Sequence, residues 1–285
     1  MCIRDRIHGV KACNGAPPIS HLFFADDSIL FAKASLQECS AIANIISLYE
    51  RASGQNVNYS KTEITFSKGV SIHMRENIVN MLGVREVAKH DKYLGLPTLI
   101  GRSKKLIFTC LKDRIWKKIQ GWKEKFLSRP GKEVLIKAVV QAIPTYMMSI
   151  FRIPNGIIDD IHSMLARFWW GSNGSERKVH WHSWDSLCRP KGRGGMGFRN
   201  LKVFNHALLA KQLWRIHSEE CPVVAAVLKA RYYKHSDVLS SLRGYDPSFT
   251  WRSLWGAKNM LLDGLTWRVG SGTNIKVWRD KWLYH

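Results

Sequence analysis

From residue 103 onward, apolar side chains recur at the spacing of an α-helix, and this pattern restricts the possible folds more than any other feature. Lysines and arginines occupy most of the remaining circumference. Such a stripe predicts one long amphipathic helix with an apolar side packed on a core and a basic side facing outward. The apolar positions of the stripe are Ile107, Leu111, Ile115, Ile119, Trp122 and Phe126.

More helices are predicted further along the chain. The next one runs from Pro130, a residue favoured early in helices, to Pro144, which breaks them. The remaining segments with helical spacing are 157–170, 205–216, 222–232 and 250–262. A hairpin is expected over 267–278, turning at its glycines.

The part of the chain before residue 100 has a different pattern, with short apolar runs between turns. Ser35 and Glu38 have the spacing of a capping box, which predicts a helix that begins there and ends at Gly54. An extended segment over 56–66, a short helix from Ser71 to Gly83 and a strand over 93–97 are expected next. This order of elements predicts an α+β fold for this part.

The positive charge of the chain is concentrated in its middle. The whole chain has 44 Lys and Arg against 22 Asp and Glu, and residues 89–153 hold 15 of the former and four of the latter. Contact with nucleic-acid phosphates explains such an excess better than the alternative, a solvated basic face. The candidate phosphate-binding residues are Lys92, Lys105, Lys112, Lys117, Lys118, Lys123, Lys125 and Lys132.

The cysteines and the hydropathy pattern indicate an intracellular protein. No two of the six cysteines have the short spacing of a zinc knuckle or a redox pair, so we expect reduced thiols. No run of about 18 uncharged apolar residues is present, so no membrane partner is expected. Residues 1–6 lack the apolar core of a secretory signal.

Asp26 and Asp27 are the strongest candidates for chemistry. Apolar residues at 22–24 and 29–31 flank them, which predicts a β-hairpin whose strands bury their side chains and hold the two carboxylates at its tip. Two carboxylates held close together repel each other, and Mg²⁺ relieves that repulsion and accepts hard oxygen ligands. The simpler alternative is that both aspartates only favour the turn.

The residues around this pair resemble a known family. Ser20-His21-Leu22-Phe23-Phe24-Ala25-Asp26-Asp27 is similar to the metal-binding hairpin of reverse transcriptases from non-LTR, LINE-type retrotransposons. Residues 52–62 resemble the next palm segment of that family, and 92–95 resemble its primer-grip strand. The segments that resemble plant members in particular lie at 120–123, 131–139, 143–146, 168–171, 194–199 and 210–215.

The resemblance implies a domain order and a set of residue roles. It implies the C-terminal part of a polymerase palm over 1–99, a basic helical thumb over 100–172 and a Trp-rich connector over 173–285. Asp26 matches the metal-binding aspartate and Asp27 its neighbour. Lys61 matches a lysine that protonates the leaving pyrophosphate; the alternative is that Lys61 is only an exposed lysine at the end of a strand. The implied cofactor is Mg²⁺, the implied partners are an RNA template with an RNA–DNA hybrid or DNA primer, and the expected location is the nucleus.

The chain also departs from the family pattern. The family has a further palm aspartate and the fingers upstream of the hairpin, and only 25 residues precede Asp26 here. We therefore expect a fragment of an RNA-directed DNA polymerase that is inactive without the missing N-terminal half. The alternative is a non-enzymatic, basic nucleic-acid-binding remnant of a degenerate element. The oligomeric state is not predicted.

Two weaker patterns occur in the C-terminal third. His180, His182 and Cys188 could form part of a zinc site, but a fourth ligand is missing and the resemblance implies no metal there. Tryptophans could stack on single-stranded bases, yet helical spacing favours a core position for the following three. They are Trp169, Trp214 and Trp255.

Overall fold

A computed structural model shows a helix-rich chain with a few short strands, which is compatible with the predicted α+β class. The chain divides into two compact units, which we call the first unit (Met1–Leu99 with Ala226–Lys234) and the second unit (Ile100–Ala225 with His235–His285). The expected boundary after residue 172 lies outside the described residues. The structure describes residues 7–90, 92–98, 104–123, 127–171, 178–271, 273, 275–278 and 281–282, with backbone only for 92, 104–106 and 123.

The first unit contains three two-stranded sheets and two long helices. Within the residues described there, no sheet grows beyond two strands. The α1 and α2 helices contact each other. The elements are β1 His21–Phe24, β2 Asp27–Leu30, α1 Leu36–Ser53, β3 Glu63–Ile64, α2 Ile72–Leu82, β4 Arg85–Glu86, β5 Lys92–Tyr93 and β6 Leu96–Pro97.

The predicted hairpin is present, but its burial differs from the prediction. β1 and β2 pair antiparallel, with Phe24 opposite Asp27, so the connecting loop has two residues. The strand Leu22–Phe24 was expected to be buried, and this is wrong, since Phe23 and Phe24 are 60% and 61% exposed. Successive residues on a strand point to opposite faces, so both faces of the hairpin are open to solvent at these positions. The side chains of 29–31 are half-buried.

The start of α1 confirms one half of the predicted capping box. The Ser35 hydroxyl accepts a hydrogen bond from the Glu38 backbone N–H at 3.4 Å. The carboxylate of Glu38 does not return to Ser35; it accepts from the backbone N–H of Lys33 at 2.8 Å and lies 2.7 Å from His8 Nδ1. The predicted end at Gly54 is confirmed, because this residue adopts φ +70°, which glycine tolerates.

The extended segment predicted over 56–66 is largely a turn. Lys61 and Thr62 donate backbone N–H groups to the carbonyl of Asn58, and only Glu63–Ile64 forms a strand. Asn58 also accepts the Lys61 N–H through its side-chain oxygen at 3.3 Å. Asparagine side chains compete with strand pairing in this way, and alternation of apolar residues does not reveal it.

The second unit is a layer of packed helices. Among the described residues of the chain, no helix is long and apolar enough to cross a membrane. The α3 helix contacts α6, and α8 contacts α5, α6, α10 and α11. The elements are α3 Lys104–Lys123, α4 Arg129–Val134, a π-helical segment Leu135–Val140, α5 Thr145–Met148, α6 Asn155–Trp170, α7 Trp184–Leu187, a 3₁₀ turn Lys191–Arg193, α8 Leu201–His217, α9 Pro222–Tyr232 (shared with the first unit), α10 Phe249–Trp255 and α11 Lys258–Gly264.

The predicted apolar stripe of α3 is its buried face. Leu111, Ile115 and Ile119 are fully buried, as is Phe108, which the pattern did not include. Trp122 is half-buried, and Phe126 lies outside the described residues. Burial of four large side chains on one face fixes which side of the helix remains for solvent.

Two predicted helices of the second unit are interrupted. The segment between Pro130 and Pro144 begins as α4 but widens into the π-helical segment, where the Gln141 N–H bonds to the carbonyl of Ile136. The helix expected over 250–262 breaks at Gly256–Ala257 into α10 and α11. The hairpin expected over 267–278 forms no strand in the described residues there, although the Trp267 N–H donates to the Lys281 carbonyl at 2.7 Å.

Of the three tryptophans expected in the core, only one is fully buried. Trp169 is 5% exposed, which confirms the prediction. Trp214 is 39% exposed, so its predicted core position is wrong, and Trp255 is half-buried. Trp251, which was not singled out, is completely buried and donates its indole N–H to the Arg243 carbonyl at 3.1 Å.

Asn205 is the polar centre of the second unit. It is 2% exposed and lies on α8. Its amide nitrogen donates to the carbonyls of Met148 and Phe151 at 2.7 and 2.9 Å, and its oxygen accepts from the Ile153 N–H at 2.9 Å. One side chain thereby satisfies three backbone groups of the segment that joins α5 to α6.

Candidate functional site

Asp26 and Asp27 lie together at the tip of the β1–β2 hairpin. Asp26 belongs to the two-residue loop, and Asp27 is the first residue of β2. The preceding Ala25 has φ +50°, a left-handed conformation that the favoured hairpin turns require in their first loop residue. Both aspartates are exposed, and their carboxylates form no hydrogen bond or ion pair with any described residue.

The hairpin tip offers hard oxygen ligands but not a complete metal site. Carboxylates suit Mg²⁺, which takes six oxygen ligands and keeps several waters. Across the described ranges, no group of three or more His, Cys, Asp or Glu side chains could hold a metal ion. The donor chemistry therefore fits Mg²⁺, and further ligands must come from outside this pair.

The alternative zinc cluster is not supported. His180 and His182 are exposed, and Cys188 is half-buried. Burial, assisted by the nearby Asp185, raises the pKa of the Cys188 thiol to about 12. Zinc binds the thiolate, so this environment opposes metal ligation by Cys188.

Lys61 lies at the exposed end of the Asn58 turn, two residues before β3. The alternative interpretation put Lys61 at a strand end, and the structure places it in a turn instead. Its backbone N–H donates to Asn58, so the position of its Cα is fixed by the turn while its side chain faces solvent. Its role in proton transfer remains a prediction.

One face of α3 carries exposed cations. Lys117 and Lys118, both predicted to bind phosphate, are exposed, and Arg114 shares their face because residues three and four apart are neighbours on a helix. These three side chains form no ion pair with any residue in the described ranges, and we call them the α3 basic face. Arg114 belongs to the basic circumference predicted for this helix, but it was not among the candidate phosphate-binding residues.

The other candidate lysines are placed differently. The Lys112 ammonium lies 3.1 Å from the Asp160 carboxylate of α6, so part of its charge is neutralised. Lys132 is half-buried, with its ammonium 5.7 Å from the centre of the Phe168 ring. The side chains of Lys92, Lys105 and Lys123, and all of Lys125, lie outside the described residues.

A cleft of about 420 Å³ in the second unit contains His162. This histidine is 8% exposed, and its Nε2 accepts the backbone N–H of Leu201 at 3.1 Å, at the start of α8. Burial lowers the pKa of His162 to about 4, against the opposing effect of Asp159 and Asp185. A neutral ring is required, because a protonated Nε2 could not accept that hydrogen bond.

We predict that the second unit loses stability in acid through His162. An unfolded histidine titrates near pH 6.5 and the folded one near 4, so the unfolded state binds the extra proton first as the pH falls. The contribution of His162 to the free energy of unfolding is therefore fully present above pH 6.5. It decreases by roughly 3 kcal/mol as the pH falls from 6.5 to 4. Urea titrations of wild type and His162→Gln at several pH values measure the slope of the free energy of unfolding against pH. The slope should shrink in His162→Gln and persist in the control His182→Gln; an unchanged slope in His162→Gln would contradict the assignment.

Comparison with known protein sequences shows what this chain is similar to. No protein-family profile matches the chain. Over 143 residues it is 39% identical to the "Uncharacterized mitochondrial protein AtMg00310" of Arabidopsis thaliana, a match that covers 50% of this chain and 93% of that protein. The chain belongs to the same family as this Arabidopsis protein.

A second relative is a longer protein. The chain is 32% identical over 193 residues to the "Putative ribonuclease H protein At1g65750" of Arabidopsis thaliana. The match covers 66% of this chain and 31% of that protein, so the chain spans less than a third of this relative's length. Both relatives come from a plant, in agreement with the plant character of the resembling segments.

Proposed function

We propose that this chain is part of an RNA-directed DNA polymerase of a plant non-LTR retrotransposon. The observation that carries the proposal is the β1–β2 hairpin, which presents Asp26 and Asp27 at its exposed tip, within residues that resemble the metal-binding hairpin of these enzymes. The relationship to a protein named as a putative ribonuclease H supports a role in nucleic-acid chemistry.

In this proposal each residue has a separate task. Asp26 and Asp27 supply carboxylate oxygens for Mg²⁺, which when bound neutralises the charge that develops on the transferred phosphate. Lys61 stabilises the leaving pyrophosphate and gives it a proton. The Lys61 side chain is exposed to solvent and therefore accessible to a bound phosphate group.

The α3 basic face binds the nucleic acid. Three exposed cations without acidic partners in the described part of the chain attract phosphates at close spacing, and the buried opposite face of α3 keeps their backbone rigid. The contacts are to phosphates, so binding to the RNA template and its hybrid with the primer is independent of base sequence.

The catalytic site needs a further acidic residue. The described residues hold no third ligand beside Asp26 and Asp27. We propose that another polypeptide segment, corresponding to the N-terminal half of the polymerase, supplies it together with the fingers. Reverse transcription by such an element would take place in the nucleus.

A reconstitution assay tests this function. We predict that the chain alone extends no primer on a poly(rA)–oligo(dT) template with Mg²⁺, and that co-expression with the upstream palm and fingers of a related element restores extension. Asp26→Ala should abolish the restored activity, because it removes the hairpin's main metal ligand. Asp185→Ala, an exposed aspartate of the second unit, is the matched control and should remain active.

A non-enzymatic nucleic-acid-binding protein is the second candidate. The incomplete ligand set at the hairpin favours it, since binding through the α3 basic face needs no metal. Under this alternative the reconstituted protein binds hybrid duplex but extends no primer, and Asp26→Ala leaves binding unchanged. Extension that depends on Asp26 would exclude it.

A further inference from the structure

Among the described residues, Glu38 is the one acidic side chain that is buried, with 5% of its surface exposed. A carboxylate removed from water is costly unless hydrogen-bond donors compensate for the lost solvation. Burial raises the pKa of Glu38, but hydrogen bonds from the Lys33 backbone and from His8 outweigh this effect and lower the pKa below its ordinary value. Glu38 is therefore an ionised side chain whose stability in this place depends on its partners.

The carboxylate of Glu38 joins two chain segments that flank the β1–β2 hairpin. One oxygen, Oε2, accepts the backbone N–H of Lys33 at 2.8 Å, shortly after β2 ends. The other oxygen, Oε1, lies 2.7 Å from Nδ1 of His8, in the segment before β1. One side chain of α1 thus holds the chain both where it approaches the hairpin and where it leaves it.

The same two segments lie directly against the base of the hairpin. Before β1, Val10 and Ile19 exchange two backbone hydrogen bonds, at 2.8 and 2.9 Å. Gly9 has φ +65°, and a β-carbon built on it would lie 2.6 Å from the Ile19 carbonyl oxygen, so the backbone approaches too closely for a side chain. After β2, the Phe31 N–H donates to the Ser20 carbonyl at 2.8 Å. A residue that fixes both segments therefore fixes the base of the hairpin from both sides.

Glu38 is itself held in place by the start of α1. Its backbone N–H donates to the Ser35 hydroxyl at 3.4 Å. Its carboxylate lies in the first turn, where the partial positive charge of a helix N-terminus stabilises an anion. The helix has 18 residues and contacts α2. The carboxylate therefore connects the base of the hairpin to a long helix that is packed against a neighbour.

We propose that Glu38 is a positioning residue, which sets the orientation of the β1–β2 hairpin and thereby the place of Asp26 and Asp27 during catalysis. A two-stranded hairpin is only marginally stable by itself, so the orientation of its tip depends on what holds its base. Glu38 acts at that base, through the backbone of the two strands. The catalytic consequence rests on the proposed polymerase function, whereas the effect on the hairpin rests only on these contacts.

Hydrogen–deuterium exchange of the full chain tests the effect on the hairpin. Glu38→Leu keeps a side chain of similar size in the buried position but removes both acceptor oxygens. The backbone amides of 19–31 should then exchange about tenfold faster, while those of α2 exchange as in wild type. Glu38→Gln should retain slow exchange, because its amide oxygen can accept the Lys33 N–H and its amide nitrogen can donate to a neutral His8 ring.

Glu50→Leu is the matched control on the same helix. The Glu50 carboxylate also accepts a backbone N–H, from Val57 at 2.8 Å, so this variant loses an equivalent hydrogen bond away from the hairpin. Exchange over 19–31 should remain as in wild type. The proposal fails if Glu38→Leu leaves the exchange of the hairpin unchanged, or if Glu50→Leu accelerates it to the same extent.

A milder variant covers the case in which Glu38→Leu unfolds the first unit and accelerates exchange in α2 as well. His8→Ala changes a side chain that is 71% exposed and removes only one of the two contacts of the carboxylate. Faster exchange confined to 19–31, by a smaller factor than in Glu38→Leu, supports the proposal. Exchange equal to that of wild type overturns it.

Primer extension by the reconstituted polymerase tests the catalytic consequence. Glu38→Leu should lower kcat about tenfold or more and leave KM for the RNA–DNA hybrid unchanged, because displaced metal ligands slow the chemical step and not the binding of the hybrid. Glu38→Gln should restore kcat. An unchanged kcat in a variant with faster hairpin exchange would show that Glu38 is only structural. If wild type itself extends no primer, the proposed polymerase function fails, and the exchange measurements still decide whether Glu38 orients the hairpin.

Discussion

Replacing Arg114, Lys117 and Lys118 by glutamate should reduce the affinity of the chain for an RNA–DNA hybrid by on the order of a hundredfold at 0.1 M salt. The three side chains form the exposed α3 basic face, and each replacement turns an attraction to phosphate into a repulsion. Each lost phosphate contact should also lower the slope of log affinity against log salt concentration by about 0.9. Fluorescence anisotropy with a labelled hybrid at several salt concentrations measures both quantities.

A matched control distinguishes the α3 basic face from the general positive charge. Lys11→Glu/Lys68→Glu/Lys211→Glu changes the net charge by the same amount at exposed lysines outside that face. If net charge alone drives binding, both triple variants should lose affinity equally. Equal losses, or an unchanged salt slope in the α3 variant, would show that this face is only a solvated surface.

The second large effect concerns stability and depends on Asn205. Asn205→Ala leaves the buried carbonyls of Met148 and Phe151 and the N–H of Ile153 without their partner. Each unsatisfied buried backbone group costs roughly 1–3 kcal/mol, and the truncation adds a small cavity. The free energy of unfolding of the second unit should therefore fall by about 3 kcal/mol or more.

Tryptophan fluorescence in urea reports this unit alone, because all 12 tryptophans lie in it. The control is Asn200→Ala, which removes the side chain that caps α8 by accepting the N–H groups of Lys202 and Val203. An N-cap of this kind contributes about 1 kcal/mol. A smaller loss in Asn205→Ala than in Asn200→Ala would contradict the central role of Asn205.

The amino-acid sequence determined the elements whose signals are local. The hairpin around Asp26, the Ser35 cap and the Gly54 end of α1 depend on residues within a few positions of each other. The same is true of the buried stripe of α3, since helical periodicity can be recognised within a single segment of sequence. These elements include the candidate metal ligands and two of the three cations of the α3 basic face.

The tertiary structure alone decided which neighbours these elements meet. Phe23 and Phe24 are exposed on opposite faces of their hairpin, whereas their apolar character had predicted burial. Lys112 pairs with Asp160, Asn205 satisfies a distant segment, and Arg129 meets the tryptophans of α6. These contacts join residues 40 to 57 positions apart. Periodicity within one segment carries no information about such partners, because they are set by how the helices pack.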